Sequence, residues 1–315
     1  MRPVMAALER VLDREASTRP AALLRIGLAL MVMVRFADDL TLRSREIDLL
    51  YGCIFLLYWG GTIAMLVGWR AQIATGLTAA VLMVGVWRFG HVQGHEGWTH
   101  HHVYLLLAAM LCTALTPCGR SYSVDRWRAV ARAERAGQPP PPESGLVWAQ
   151  LLIAVQLSAV YFWGAVDKLD PGWLGGSKFE AQLLDAILDS DPPDFPGWHA
   201  LVVAISLGTV ALEMALAVGL WFRRVRRFLI PAGIALHILI YVTLPVTVFS
   251  GLSVLLYLAY LDPDEVHRAI DRISGRISGR ISGASPEAMS HRSPGEAPAS
   301  PGAPSTSRAR RARRP

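Results

Sequence analysis

Lys168 is the residue of this chain whose type and position are best suited to acid–base chemistry. The sequence holds 29 arginines but only two lysines, Lys168 and Lys178. An arginine stays protonated in a protein, whereas a lysine that is withdrawn from water can release its proton. Lys168 ends a long apolar run, and Lys178 lies in a polar stretch where an ordinary surface role is expected. Lys168 is therefore a candidate base, and a helix-end lysine that reaches toward water is the alternative.

The residues before Lys168 add to the case for a site. Tyr161, Gly164 and Ala165 share a helical face with Lys168, and the two small residues leave room for a ligand or for a neighbouring helix. An ionisable group at such a depth in a membrane is a functional-site hypothesis by default. The carboxylate of Asp167, directly before Lys168, is expected to favour the charged form of the lysine.

Histidines form a second group of candidates. His91, His95 and the run His100–His102 precede an apolar segment, and the predicted topology places them level with Lys168. They offer imidazole ligands for a metal, yet their spacing to carboxylates does not support a metal site, and a solvated loop is the preferred interpretation. No metal site is predicted. His102 and His101 remain as candidate partners of Lys168.

The elements that must position these residues are membrane-spanning helices. The chain is 52% hydrophobic and only 18% charged, against about 25% charged in soluble domains. Its apolar residues come in blocks of the length that crosses a bilayer. The predicted fold is therefore an all-α polytopic membrane bundle with about eight transmembrane helices, near residues 21–37, 48–67, 71–87, 103–116, 146–166, 200–222, 228–244 and 248–261.

The distribution of basic residues predicts the orientation of this bundle. With eight spans and both termini cytoplasmic, 24 of the 31 lysines and arginines lie inside, five lie outside and two lie in the first span. Cytoplasmic loops carry such an excess. A multi-pass protein of the plasma membrane follows, with Lys168, His101 and His102 on the extracytoplasmic side.

Three parts are expected along the chain. Residues 1–20 are predicted to form an amphipathic cytoplasmic segment on the membrane. The transmembrane domain covers 21–262. Residues 263–315, with three Arg-Ile-Ser-Gly repeats and a basic end, are predicted to be a disordered tail. Membrane lipids are the expected partners, and nucleic acid is not expected as one.

Two stretches resemble a known family. The first is Tyr161-Phe162-Trp163-Gly164-Ala165-Val166-Asp167-Lys168-Leu169-Asp170, followed by Trp173 and Gly176. The second is His101-His102-Val103-Tyr104-Leu105, followed by Pro117 and Ser123-Val124-Asp125. These motifs and their order resemble those of the vitamin K-dependent γ-carboxylase-like family, also called the horizontally transferred transmembrane (HTTM) domain. The chain looks like a bacterial member of that family. Glu213 and His237 fit its later spans more loosely.

The resemblance implies a function. Lys168 corresponds to the family's catalytic base, which deprotonates a reduced quinone, and His102 corresponds to the active-site histidine, with His101 as the alternative. Tyr161, Gly164 and Trp173 are the expected cofactor contacts. The substrate would be a secreted peptide or a lipid-soluble molecule.

A non-enzymatic transporter or an assembly partner for peptide export is the alternative function. It requires Glu213, His237, Arg25 and Arg35 to line a continuous polar track. These four residues are otherwise expected to pair with one another inside the bundle.

Overall fold

The structure is a computed structural model that describes residue 5 and residues 9–41, 48–185, 192–244 and 247–281. Helices follow one another along the chain, interrupted by one pair of short strands. In order the elements are β1 (Glu15–Ser17), α1 (Arg19–Phe36), α2 (Leu49–Val67), α3 (Ala71–Gly85, continued by a π-helix over Val86–Val92), a 3₁₀ turn (Glu96–Trp98), α4 (His101–Ala114), α5 (Val124–Arg135), β2 (Ser144–Leu146), α6 (Trp148–Asp167), α7 (Pro171–Leu174), α8 (Ser177–Leu183), α9 (Trp198–Gly219), α10 (Arg223–Thr243), α11 (Thr247–Leu256, continued by a 3₁₀ turn over Tyr257–Tyr260) and α12 (Pro263–Ile281).

Each predicted span coincides with a helix. Five are long and apolar enough to cross a membrane: Leu49–Val67, Ala71–Val92, Trp148–Asp167, Trp198–Gly219 and Arg223–Thr243. The other three are α1, which carries arginines, α4, which is only 14 residues long, and the shorter apolar helix Val248–Tyr260. The all-α membrane bundle is confirmed, while the count of eight crossings and the side of each terminus stay predictions.

The helices pack around a large apolar core, with two smaller buried clusters beside it in the described part of the chain. In it α6 contacts α9 and α4, α3 lies between α2 and α4, and α11 contacts α1 and α10. Leu24, Leu28, Leu106 and Leu157 are among its fully buried residues. Many large apolar side chains point outward instead, such as Leu56 on α2, which is 70% exposed. An apolar surface of this kind suits contact with lipid.

An arginine of the first helix is buried in this bundle. Arg25 is fully buried and donates to the carbonyls of Cys118 (2.9 Å) and Tyr122 (2.6 Å). Gly68, with φ of 72°, makes room for it, since a Cβ there would lie 2.4 Å from the guanidinium. Backbone carbonyls thus accept from both terminal nitrogens of the guanidinium, while its Nε has no hydrogen-bond partner among the described residues.

The strand pair was not predicted. β1 pairs antiparallel with β2, Glu15 opposite Leu146 and Ser17 opposite Ser144, and an ion pair of 2.7 Å joins Arg19 to Glu143 beside it. The segment predicted as a membrane-surface helix over residues 1–20 therefore ends in a strand. It does so because the loop before α6 offers the backbone partners that a sequence pattern cannot show.

The predicted disorder from residue 263 is also corrected for its first part. Pro263 begins α12, and the Asp262 carboxylate accepts from the backbone N–H groups of Asp264 and Glu265, both at 3.1 Å. Val266, Ile270 and Ile273 recur at helical spacing from the start of α12 into the first repeat. The chain divides into a unit of Met1–Arg268 and a unit of Ala269–Pro315, and residues 282–315 lie outside the described part.

Candidate functional site

Lys168 forms an ion pair with Glu213 that the sequence pattern did not predict. Its Nζ lies 3.0 and 2.9 Å from the two carboxylate oxygens of Glu213 and donates to the carbonyl of Gly164 at 3.0 Å. The Lys168 side chain is 24% exposed and that of Glu213 is 8% exposed. The three protons of the ammonium group are thus matched by three acceptors, and Glu213 takes the part that the sequence assigned to Asp167.

Local structure fixes the position of Lys168. It caps the C-terminus of α6, which begins at Trp148 and carries Tyr161 and Gly164 on the same side. The chain then turns into α7, whose N-terminus is capped by Asp170 through the N–H groups of Gly172 (2.9 Å) and Trp173 (3.2 Å). The lysine therefore lies at the junction of α6 and α7.

Trp173 links this junction to the helix that carries Glu213. Its indole N–H donates to the Ser206 carbonyl of α9 at 3.2 Å, and the Ser206 hydroxyl donates back to the Trp173 carbonyl at 2.5 Å. The ring centroid lies 5.4 Å from Lys168 Nζ, within the range of a cation–π contact. Gly176, with φ of 83°, lets the chain turn tightly against Val203 of α9. These contacts hold α7 and α9 in fixed relation.

The ion pair lines a cavity of about 390 Å³ inside the bundle. Apolar and aromatic side chains make most of its wall, and polar groups enter from several helices. The lining residues include His100, His101, His102, Tyr161, Gly164, Lys168, Trp173, Phe179, Glu213, Leu236, His237, Ile240 and Phe249. Every catalytic and cofactor-binding residue predicted from the sequence is among them. Their roles in chemistry remain predictions.

A hydrogen-bonded group of two tyrosines and a histidine lies at this wall. The Tyr161 hydroxyl lies 2.7 Å from His237 Nε2 and 2.6 Å from the Tyr257 hydroxyl. The Tyr257 hydroxyl packs directly against Gly233, because a Cβ at position 233 would lie only 2.1 Å from the hydroxyl oxygen. His237 Nδ1 is buried and has no hydrogen-bond partner in the described part of the chain. His237 lines the cavity, and a buried polar atom without a partner in such a site calls for an explanation.

The proton order within this group can be deduced from its partners. If Tyr257 donates to Tyr161 and Tyr161 donates to Nε2 of His237, both hydroxyl protons are used. The reverse order leaves the Tyr257 proton without an acceptor among the described residues, which is costly in a buried place. The favoured neutral tautomer of His237 therefore carries its proton on Nδ1.

The histidines at the start of α4 line the cavity and differ in exposure. His101 is exposed and His102 is half-buried, and the rings of His100 and His102 stack with centroids 5.3 Å apart. Within the described residues neither His101 nor His102 bonds to Lys168. No cluster of three or more His, Cys, Asp or Glu side chains able to hold a metal occurs in the ranges the structure describes.

The pairing predicted for the intramembrane charges was wrong in its partners. Glu213 pairs with Lys168, His237 bonds Tyr161, Arg25 bonds carbonyls, and Arg35 pairs with Asp39 at 3.0 Å. Neither arginine is among the residues lining the cavity. The continuous track that a transporter would need is therefore not formed by these four residues. The only sequence feature that marked Glu213 as a candidate was an acidic residue within a predicted span. Its partner could not be predicted, because it depends on how α6 and α9 pack.

The motif Ser123-Val124-Asp125 lies elsewhere and has a structural role. The Asp125 carboxylate accepts from the N–H groups of Arg70 and Ala71, both at 2.8 Å, at the start of α3. Ser123 accepts from the N–H of Arg126 at 2.9 Å and caps α5. Asp125 does not line the cavity with Lys168, so this part of the resemblance concerns the fold.

Lys178 is confirmed as a surface residue, with 60% of its side chain exposed and an ion pair of 3.0 Å to Asp170. The Lys178 ammonium, together with the N–H groups of Trp173 and Gly172, lowers the pKa of Asp170 from its usual 3.8. The pair braces the turn that follows Lys168.

The apolar helices, the buried core and the enclosed polar group define a multi-pass helical membrane protein. Residues 29–264, about three quarters of the chain, match the HTTM domain, and the protein belongs to that family. Neither the comparison with curated proteins nor that with solved structures gave a significant match.

Proposed function

We propose that this chain is a membrane enzyme in which Lys168 and Glu213 move a proton to and from a reduced quinone, acting on a lipid-soluble or secreted-peptide substrate. The observation that carries the proposal is the bidentate ion pair in the wall of an otherwise apolar cavity. Buried charges are costly, and a protein that places one in such a cavity commonly uses it. The arginine distribution supports an extracytoplasmic position for the cavity in the plasma membrane.

The lining residues fit a flat aromatic ligand with polar oxygens. Trp173, Phe179 and Phe249 supply aromatic surface, and a volume of about 390 Å³ lies in the range of small-molecule sites. The unpartnered Nδ1 of His237 offers a hydrogen bond to a ligand oxygen. When bound, a reduced quinone supplies an acidic ring hydroxyl and, by reaction with oxygen, the strong base that the family resemblance implies.

Glu213 explains how a charged lysine can act as a base. In the resting pair Lys168 holds three protons and cannot accept another. Transfer of one proton across the 2.9 Å contact to Glu213 gives a neutral amine and a carboxylic acid. An apolar cavity favours neutral groups over charged ones. The amine can then accept a proton from a hydroxyl within reach, and Glu213 stores the proton that Lys168 released.

His237 and His102 have positioning roles in this proposal. The Tyr257–Tyr161–His237 order directs the Nδ1 proton of His237 to a ligand oxygen. His102, half-buried at the start of α4, is placed to hold a second oxygen. His101 is more exposed and serves as the alternative for that contact.

Mass spectrometry of lipid extracts from the purified full chain tests whether a quinone is bound. Gly164→Leu would put a side chain next to Glu213, since a Cβ at Gly164 lies 3.4 Å from its carboxylate, and it should abolish co-purification. Gly208→Leu on α9 is the control, because a Cβ there meets nothing within 4 Å. If wild type and the Gly208 variant yield no quinone, the cofactor assignment is wrong.

A second measurement separates binding from proton transfer. Lys168→Arg keeps the ion pair with Glu213 but holds its proton tightly. This variant should retain the quinone and lose oxidation of added reduced quinone under oxygen by about 100-fold or more. A variant that binds and oxidises at the wild-type rate would remove Lys168 from the mechanism.

A further inference from the structure

A second cavity, of about 460 Å³, lies at the other end of the helix that carries Lys168. Trp148 and Gln150, at the start of α6, line it, so about 30 Å of helix separates it from Lys168. Its other walls come from the N-terminal segment, the α9–α10 turn and the end of α11. The lining residues include Arg10, Val11, Arg14, Trp148, Gln150, Trp221, Arg223, Arg226, Tyr260 and Asp262.

Basic side chains outnumber acidic ones in the wall of this cavity. Four arginines line it, against a single carboxylate, that of Asp262. Arg14 pairs with Asp262 at 2.8 Å, Arg226 donates to the Tyr260 carbonyl, and Arg223 pairs with Glu265. A guanidinium has five N–H donors, so each of these bonds leaves donors for an anion. Phosphate groups match that fork geometry.

Gln150 adds a second and independent feature. It is only 3% exposed, and its Nε2 donates to the Leu258 carbonyl at 3.2 Å. Its Oε1 has no hydrogen-bond partner in the described part of the chain. A buried acceptor of this kind is matched by a hydroxyl group, so the ligand should carry a hydroxyl near its anionic group.

The apolar surround indicates a lipid. Trp221 and Val11, both lining the cavity, are 43% and 42% exposed, and Trp148 lies beside them. Tryptophans of membrane proteins concentrate at the level of the lipid headgroups. Basic pockets between helices on the cytoplasmic side bind anionic headgroups, and the arginine distribution predicts this side for the cavity.

We propose that this cavity binds an anionic glycerophospholipid with a hydroxyl on its headgroup, such as phosphatidylglycerol. Arg223 and Arg226 hold the phosphate, and the headgroup hydroxyl donates to Gln150 Oε1. Acyl chains leave along the exposed apolar side chains of Trp221 and Val11. The site is independent of any catalytic role of Lys168.

Thermal unfolding of the full chain in detergent, with lipids added singly, tests the proposal. Phosphatidylglycerol at about 100 times its dissociation constant should raise Tm by about 5 °C, and phosphatidylcholine should have little effect. Arg223→Gln and Arg226→Gln should each reduce the shift by half or more. Arg132→Gln, an exposed arginine of α5, is the matched control and should leave it unchanged.

Two further arms define the ligand. Phosphatidylmethanol is anionic but lacks the hydroxyl. In wild type it should therefore raise Tm less than phosphatidylglycerol does, whereas in Gln150→Met the two lipids should raise Tm equally. Free glycerol 3-phosphate should give none. An equal response to phosphatidylcholine, no effect of the arginine variants, or a full shift with glycerol 3-phosphate would each overturn the assignment of an anionic lipid site.

Discussion

Glu213 lies 45 residues after Lys168 in the chain, yet its two carboxylate oxygens accept hydrogen bonds of 3.0 and 2.9 Å from the lysine ammonium. The pair joins the end of α6 to the middle of α9 and stands at the wall of the cavity. In the proposed mechanism Glu213 is both the counter-ion of Lys168 and the acceptor of its proton.

Removing both members of the pair should cost less than the sum of the two single losses. Glu213→Leu leaves a half-buried ammonium without a counter-ion, and Lys168→Met leaves a buried carboxylate. In Lys168→Met/Glu213→Leu neither charge remains, so its loss of stability should fall short of the sum by about 1–3 kcal/mol. Unfolding in mixed micelles measures the four species. Additive losses would show that the two residues do not interact energetically.

Tyr161→Phe should weaken quinone binding more than Tyr257→Phe does. In the favoured proton order Tyr161 donates to His237 and thereby keeps the imidazole proton on Nδ1, whereas Tyr257 acts only through Tyr161. The loss of one buried hydrogen bond corresponds to about 1 kcal/mol, or about fivefold in the dissociation constant. Titration of both variants with a quinone analogue measures the ratio. Equal effects would refute the proton order deduced here.

The charged form of Asp170 should stabilise the protein, and this contribution should be lost at low pH. Its pKa is lowered from 3.8 by Lys178 and by backbone N–H groups, so the charged form is favoured in the folded state. Its contribution is therefore fully present above about pH 5 and is lost as the pH falls through the folded-state pKa. The difference in unfolding free energy between wild type and Asp170→Asn, measured from pH 7 to pH 3, should shrink toward zero. A pH-independent difference would contradict this.

Arg25→Met should destabilise the bundle strongly. It removes two charge-assisted hydrogen bonds, to the carbonyls of Cys118 and Tyr122, and the expected cost is about 3–5 kcal/mol. Arg25→Lys can reach one carbonyl well and should lose less. Denaturant unfolding of both variants gives the comparison, and a loss below about 1 kcal/mol for Arg25→Met would contradict the role given to the arginine.

The predicted topology can be read by labelling in intact cells. In a Cys53→Ser background, Lys178→Cys should react with a membrane-impermeant maleimide, because Lys178 is 60% exposed and lies on the predicted outer side. Arg132→Cys should react only after the cells are permeabilised. Labelling of the position 132 variant alone in intact cells would reverse the predicted orientation. Labelling of both variants in intact cells would reject it.

Much of the site was predictable from the sequence. The rare Lys168 marks the end of α6, and the run His100–His102 marks the start of α4. The helical faces that hold Tyr161 and Gly164 follow from a period of 3.6 residues, which the sequence carries directly. Phe179 and Phe249 could not be assigned to the cavity in the same way, because each reaches it from a different segment.

The amino-acid sequence alone determined the membrane helices, the family and part of the cavity wall, including Lys168, His102 and Tyr161. These depend on local hydrophobicity and on short motifs, which act within a few turns of helix. Only the tertiary structure decided that Glu213 pairs with Lys168, that His237 meets Tyr161, and that Arg25 serves carbonyls. The reason is physical: a buried charge takes whichever partner helix packing brings within about 3 Å, and packing joins residues far apart in the chain.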